Sequence, residues 1–461
     1  MLKSIEIENF KAFANLQKLN LSPITLIYGA NSSGKSSIIH SLMVLKQSIL
    51  FPNLKGGIYS DKRILDVGSY ETMVYSHNLK NDIIFGLDFD KGVKFNIIYN
   101  YIDNDLKKGG SQIDGFSCIK KISVNSYLND FIYYFENNFN GDDNNDTKDF
   151  DFKVNDLSKT NFDKIKDKKI LQEILSSFVF SAEDDFPIPK GVSINSEKHL
   201  KLWRILKEKE IQDELYDVYQ YINNNISMDS NVLKDNLKKI SYLGPLRSNP
   251  KRYYSVDSEF EASVGKEGEN IAFFLKTNTP SLSLSINDWF AKFEIPYQFR
   301  PIKIGGRNSE PLIQIELKDR RNNVTVSPLD VGFGIGQILP IIIEGLIRKE
   351  SIICVEQPEI HLHPKLQAEL AEFFVETCNK NQWIIETHSE ALMLRIQKII
   401  RSKKKVNGSI LRPEDVTILY VLPSKNSDEG AQVVQIRLDE EGDFIDFWPE
   451  GFFEERIKER R

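Results

Sequence analysis

The sequence predicts an α/β protein with a mixed, mainly parallel core sheet, an antiparallel β lobe and a helical insert. Three observations carry this. A glycine-rich loop, Gly29-Ala30-Asn31-Ser32-Ser33-Gly34-Lys35-Ser36-Ser37, sits between an apolar β-prone run (residues 24–28) and a helical repeat of Ile38, Leu42, Leu45 and Ile49. Continuous apolar runs at 352–355, 383–385 and 416–421 read as strands buried on both faces, and helical segments alternate with them. From about residue 165 to 236 the pattern turns helical, with Leu200, Leu206, Ile211, Leu215 and Tyr219 punctuating a charged stretch.

The loop fits G-x-x-x-x-G-K-[ST], and strand, loop and helix follow in the order its mechanism needs. Its glycines let backbone N–H groups curl around a β-phosphate, and the next helix points its positive end at the same anion. Gly29, Asn31, Ser32, Ser33, Gly34, Lys35, Ser36 and Ser37 are the candidate nucleotide ligands. Lys35 supplies charge to the β- and γ-phosphates, and the Ser36 hydroxyl is placed for Mg²⁺.

The chain has 461 residues, enough for two or three domains or one core with insertions. A net charge of −6 argues against a general nucleic-acid coat. Cys118, Cys354 and Cys378 lack metal spacing and suit a reducing cytoplasm. No apolar stretch is long enough to span a membrane, and the alternating start (residues 1–8) reads as a strand.

Along the chain, residues 82–89 and 94–99 look like paired strands, and 139–151, rich in Asp and Asn, like an exposed loop. Residues 240–243 form a strand ended by the turn Gly244-Pro245-Leu246-Arg247. Pro364 opens a helix with Leu366, Leu370, Phe373 and Phe374 on one side. The expected organisation is 1–125 and 237–455 as halves of one split core, 126–236 as a helical or irregular partner-binding insertion, and 456–461 as a charged tail.

Three further motifs complete a site. The run Ile352-Ile353-Cys354-Val355 delivers Glu356 at a strand end, where a carboxylate can hold Mg²⁺. Glu386-Thr387-His388-Ser389 ends the next strand and brings a histidine toward the γ-phosphate. Asp330-Val331-Gly332-Phe333-Gly334-Ile335-Gly336-Gln337 precedes an apolar helix and offers a second anion site through Gly334, Gly336 and Gln337. His361 and His363 alternate with apolar residues and more simply shape a turn than bind a metal.

Together these motifs resemble ABC-class P-loop ATPases of the SMC/RecF/OLD branch. The opening Ile5-Glu6-Ile7-Glu8-Asn9-Phe10-Lys11-Ala12-Phe13 is similar to that branch's first strand. Glu356-Gln357-Pro358-Glu359-Ile360-His361-Leu362-His363-Pro364 is similar to its Walker B segment, and His388 to its switch histidine. Gly332 to Gln337 resembles a degenerate signature motif. Tyr242-Leu243-Gly244-Pro245-Leu246-Arg247 and Trp448-Pro449-Glu450-Gly451-Phe452-Phe453 resemble small standalone ATPases of bacterial antiphage systems, including the Septu and retron-associated ATPases. The resemblance implies an ABC-ATPase head that binds ATP and Mg²⁺. It also implies a homodimer in which one copy's signature motif covers ATP held by the other.

Two positions depart from that pattern. Gln357 stands where most such enzymes carry a catalytic glutamate, and glutamine cannot take a proton from water. Slow turnover follows, with Glu359 as a substitute base; an engineered Glu→Gln exchange is the other reading of this position. Gly336 stands where a serine is usual, removing one γ-phosphate donor.

The leading functional reading is an ATP-dependent regulatory subunit of an antiphage defence complex that controls a separate nuclease or toxic effector. The segment after His388 is too short for a nuclease domain. The alternative is a RecF-like DNA clamp using Arg247, Lys251, Arg252, Arg300, Lys303 and Arg307. A scaffold with structural ATP is the third.

Overall fold

In the computed structural model the glycine loop follows a strand of a six-stranded sheet. Its strands are β1 (Ile24–Gly29), β2 (Ile240–Leu243), β3 (Ser351–Glu356), β4 (Asn381–Glu386), β5 (Val416–Leu422) and β6 (Gln432–Ile436), ordered β2-β3-β4-β1-β5-β6. The first five run parallel and β6 pairs antiparallel with β5. Every residue of β1, β3 and β4 is buried. Continuous apolar sequence is what a strand covered on both faces requires.

The residues described are 1–51, 56–103, 115–127, 131–137, 149–156, 168–176, 178–181, 188, 191–194, 204, 207, 212–247, 249–256, 263–277, 279–305, 312–332, 334–403, 405–406, 409–426 and 429–449. They divide into two compact units. One comprises Leu21–Ile39, Lys239–Pro423 and Gln432–Arg461, and the other Met1–Asn20, His40–Lys238 and Ser424–Ala431.

The unit with the parallel sheet also holds helices α2 (Gly334–Ile347), α3 (Pro364–Thr377) and α4 (Glu390–Ser402), while α1 (Lys35–Leu50) starts in it. Trp383 on β4 is fully buried against Phe374, ring centroids 4.8 Å apart, and its indole N–H donates to Thr377 Oγ1 at 3.0 Å. A Cβ on Gly345 of α2 would lie 2.6 Å from Phe373 Cζ, so glycine is what lets α2 approach α3. Next to this core a smaller antiparallel sheet pairs Tyr297–Ile304 with Leu312–Asp319. Ile313, Ile315 and Leu317 alternate inward, the period-two pattern of a sheet with one face covered.

The second unit is built on a nine-stranded antiparallel sheet. Leu2–Glu8 pairs with Gln17–Asn20 on one side and Ile83–Phe89 on the other, and Ile83–Phe89 pairs with Val93–Asp103. Here the structure differs from the helical or irregular reading of 126–236. The sheet continues through Phe131–Asn137, Asp149–Asp156, Phe178–Ser181 and Ser193–Ile194, and helix is found at Lys168–Ser176 and Gln212–Lys238. Alternation is the physical reason: Phe152 is buried on Phe135, centroids 5.4 Å apart, while Asp151 and Lys153 point to solvent. Only 149–151 of the Asp/Asn stretch 139–151 are described, and they are strand. Leu200, Leu206, Ile211 and the tail 456–461 lie outside the described residues. Among the described residues no helix is long and apolar enough to cross a membrane.

Candidate functional site

The C-terminal ends of β1, β3 and β4 converge on one cluster. Where β1 ends, Gly29 has φ 150°, and a Cβ there would sit 2.5 Å from the Val421 carbonyl oxygen on β5. Gly34 has φ 102°, and Ser32 is left-handed at φ 59°. These conformations curl the loop, which explains glycine at both motif positions. Asn31 and Ser32 are exposed, whereas Ser33, Lys35 and Ser37 are buried.

Lys35 Nζ donates to the Gly29 carbonyl at 3.2 Å and to Ala30 at 2.7 Å. Burial lowers its pKa, and Glu386 and Glu359 oppose that shift. Ser33 Oγ is buried without a hydrogen-bond partner, an oxygen left over at the loop.

Glu356 ends β3 and Glu386 ends β4, directly beside each other in the parallel register. Both are buried. Tyr242 OH donates to Glu356 Oε1 at 3.1 Å. The Ser36 hydroxyl hydrogen-bonds the Glu386 carboxyl, while Glu386 Oε2 lacks a hydrogen-bond partner. Burial first and the Glu356 charge second push the Glu386 carboxyl up to about 7, against the pull of Ser36 and Lys35. Two adjoining buried carboxyls and a hydroxyl are hard oxygen donors of the kind Mg²⁺ takes alongside phosphate oxygens. The residues present therefore fit Mg²⁺.

Gln357 follows Glu356 with φ 45°, and its backbone N–H donates to the Glu386 carbonyl at 2.7 Å. That bond fixes the first residue after β3 against the end of β4. Glu359 lies two residues on. Its Oε1 accepts the His388 backbone N–H and its Oε2 the Thr387 hydroxyl, each at 2.7 Å. The residue read as a substitute base thus clasps the histidine loop with both oxygens. His388 is half-buried, and burial, with Lys35 nearby, lowers its pKa, so its imidazole is neutral at neutral pH. Ser389 caps α4 by accepting the Leu392 N–H and donates to Gln367 Oε1. His361 is exposed at φ 61°, and His363 caps α3 through the Lys365 N–H.

At α2, a Cβ on Gly336 would lie 2.5 Å from Pro250 Cγ, and one on Gly334 3.3 Å from the His361 carbonyl oxygen. Gln337 is buried and donates to the Arg247 carbonyl at 3.4 Å, so its amide faces its own chain. Phe333 and Arg307 lie outside the described residues. Arg247, read from sequence among surface cations, is instead 4% exposed and bonds the Glu356 carbonyl through Nη2 at 2.9 Å. Lys251, Arg252, Arg300 and Lys303 are exposed.

Sequence reasoning missed Glu386 and the burial of Arg247. Glu386 had a signal: like Glu356, it is a carboxylate closing a continuous apolar run.

A family model described as "AAA ATPase domain" matches residues 1–393. A second, described as "Protein of unknown function (DUF3696)", matches residues 411–460. No curated protein matches. Among solved structures the chain is similar to the SMC head domain from Thermotoga maritima, with 11% identity, a TM-score of 0.41 and coverage of 95% of this chain and 99% of that one. It is also similar to the Smc head domain with an extended coiled coil, bound to the C-terminal domain of ScpA, derived from Pyrococcus furiosus. There identity is 13%, the TM-score 0.38, and coverage 100% of this chain and 99% of that one.

Proposed function

This chain belongs to the AAA ATPase domain family, and we propose that it is a slow, Mg²⁺-dependent ATPase that serves as the nucleotide-gated regulatory subunit of an antiphage defence complex. The observation that carries the ATPase chemistry is the convergence of Lys35, Ser36, Glu356 and Glu386, with Gln357 immediately after Glu356.

Each residue has a distinct task. The loop amides and Lys35 hold the β- and γ-phosphates. Ser36, Glu356 and Glu386 would hold Mg²⁺, which when bound neutralises charge between those two phosphates. Gln357 orients the attacking water through its amide without removing a proton. His388, neutral at its site, accepts or donates a hydrogen bond at the γ-phosphate end. Glu359 positions His388 through the backbone N–H and Thr387. Without a full general base, turnover falls by roughly 10²–10⁴-fold, which suits long-lived ATP states.

The regulatory role rests on the resemblance of residues 242–247 and 448–453 to standalone antiphage ATPases. ATP joins two copies, with Gly334 and Gly336 of one presenting helix-terminal amides to nucleotide on the other. Residues 126–236 offer a surface for a nuclease or other effector, which the ATP-bound dimer restrains. Light scattering with and without a non-hydrolysable ATP analogue tests the dimer. Mass should double from 53.1 kDa with the analogue and stay unchanged for Lys35→Ala. A monomer under both conditions would remove the ATP-joined dimer from the account.

A further inference from the structure

We propose that Arg247 contacts the terminal phosphate of the bound nucleotide and makes the site prefer ATP to ADP. This rests on the reading above that the cluster binds ATP.

Arg247 follows the turn after β2 and is almost wholly enclosed. One guanidinium nitrogen, Nη2, donates to the Glu356 carbonyl. Nε and Nη1 are buried without hydrogen-bond partners. Buried donors of a charged group are rarely left unmet, so two at one side chain call for an acceptor that arrives. The acidic neighbours are already engaged. Glu359 gives both oxygens to Thr387 and His388, and Glu356 Oε1 takes the Tyr242 hydroxyl.

What remains is an incoming anion. Glu359 lies within electrostatic reach of both Lys35 and Arg247. Lys35 lies at the end of β1, on the Gly29 and Ala30 carbonyls. Arg247 lies at the C-terminal end of β3, held there by the Glu356 carbonyl. Each unmet donor of the planar guanidinium can take a phosphoryl oxygen in a charge-assisted hydrogen bond. Burial lowers the Arg247 pKa to about 10, which leaves it charged at neutral pH.

The test is calorimetric titration of a non-hydrolysable MgATP analogue and of MgADP into wild type, Arg247→Ala and Arg247→Lys. Affinity for the ATP analogue should weaken by about tenfold or more in Arg247→Ala, with ADP affinity held within about twofold and Arg247→Lys intermediate. Equal losses for both nucleotides, or none, would overturn the proposal and leave Arg247 as a fastening between β3 and α2. Should Arg247→Ala fail to fold, Arg247→Lys keeps the charge, loses the Nε and Nη1 donors and decides the same question. Wild-type protein that binds neither nucleotide would overturn the ATP reading itself, and this proposal with it.

Discussion

Glu359 holds the His388 backbone N–H at 2.7 Å, tying the loop after β3 to the loop after β4. With the Thr387 hydroxyl on its other oxygen, the side chain fixes where the histidine stands. Positioning and proton abstraction predict different mutant series. As a positioning residue, Glu359→Gln keeps an acceptor and should lose turnover only a few-fold, while Glu359→Ala loses both bonds and should cost about 10²-fold. Single-turnover ATP hydrolysis by the two variants separates the roles. Equal and near-complete loss in both would make Glu359 the base.

Glu386 makes a prediction about pH and metal together. A carboxyl that holds its proton more tightly folded than unfolded destabilises the fold as pH rises through that interval. Its pKa moves from the ordinary 4.5 to about 7. Metal-free protein should therefore lose up to about 3 kcal/mol of stability between about pH 5 and pH 8. Glu386→Gln should flatten that slope and raise Tm at the upper pH, while losing the gain that Mg²⁺ gives wild type. Thermal melts at both pH values, with and without Mg²⁺, measure all of this. Wild-type and variant melts of identical pH dependence would contradict the buried carboxyl pair.

Replacing Gln357 by glutamate supplies the missing base. Glu356 precedes the position and Glu359 follows two residues on, and like charge nearby makes a new carboxyl hold its proton more tightly than usual, toward the value a base needs near neutral pH. Turnover by Gln357→Glu should rise about 10-fold or more in a steady-state phosphate-release assay. An unchanged rate would show that proton removal does not limit the reaction.

Gly336 packs on Pro250 with no room for a methyl group. Gly336→Ala should destabilise the protein by about 1–3 kcal/mol through overpacking. Gly332, which has open space around it, should accept alanine at that position with a change within about 0.5 kcal/mol. Denaturant titrations of the two variants compare them directly. Equal stabilities would mean α2 shifts freely at its first turn.

Much of the parallel sheet is legible in the sequence because strands buried on both faces leave an uninterrupted apolar record, as in 352–355 and 383–385. Pro364 marks its helix start for a local reason, a fixed φ and no N–H to satisfy. Glu356 is legible because it closes such a run. Glu386 is harder, since its role depends on β3 and β4 being neighbours in register, and strand order is not a local property. Arg247 is hidden by its type: arginine after a Gly-Pro turn reads as solvated, and only the folded turn encloses it. The strands after residue 126 are obscured by Asp and Asn, which favour loops locally and are carried here as the outer face of a sheet.

ATP turnover at the Lys35–Glu356–Glu386 cluster should be slow. The most direct measurement is phosphate release by the purified chain, alone and with single- or double-stranded DNA, with Lys35→Ala as the blank. Turnover should lie well below the roughly 10 per second typical of enzymes, be indifferent to DNA and be absent in the blank. Turnover of tens per second without a partner, or strong stimulation by DNA, would contradict this and favour a DNA clamp.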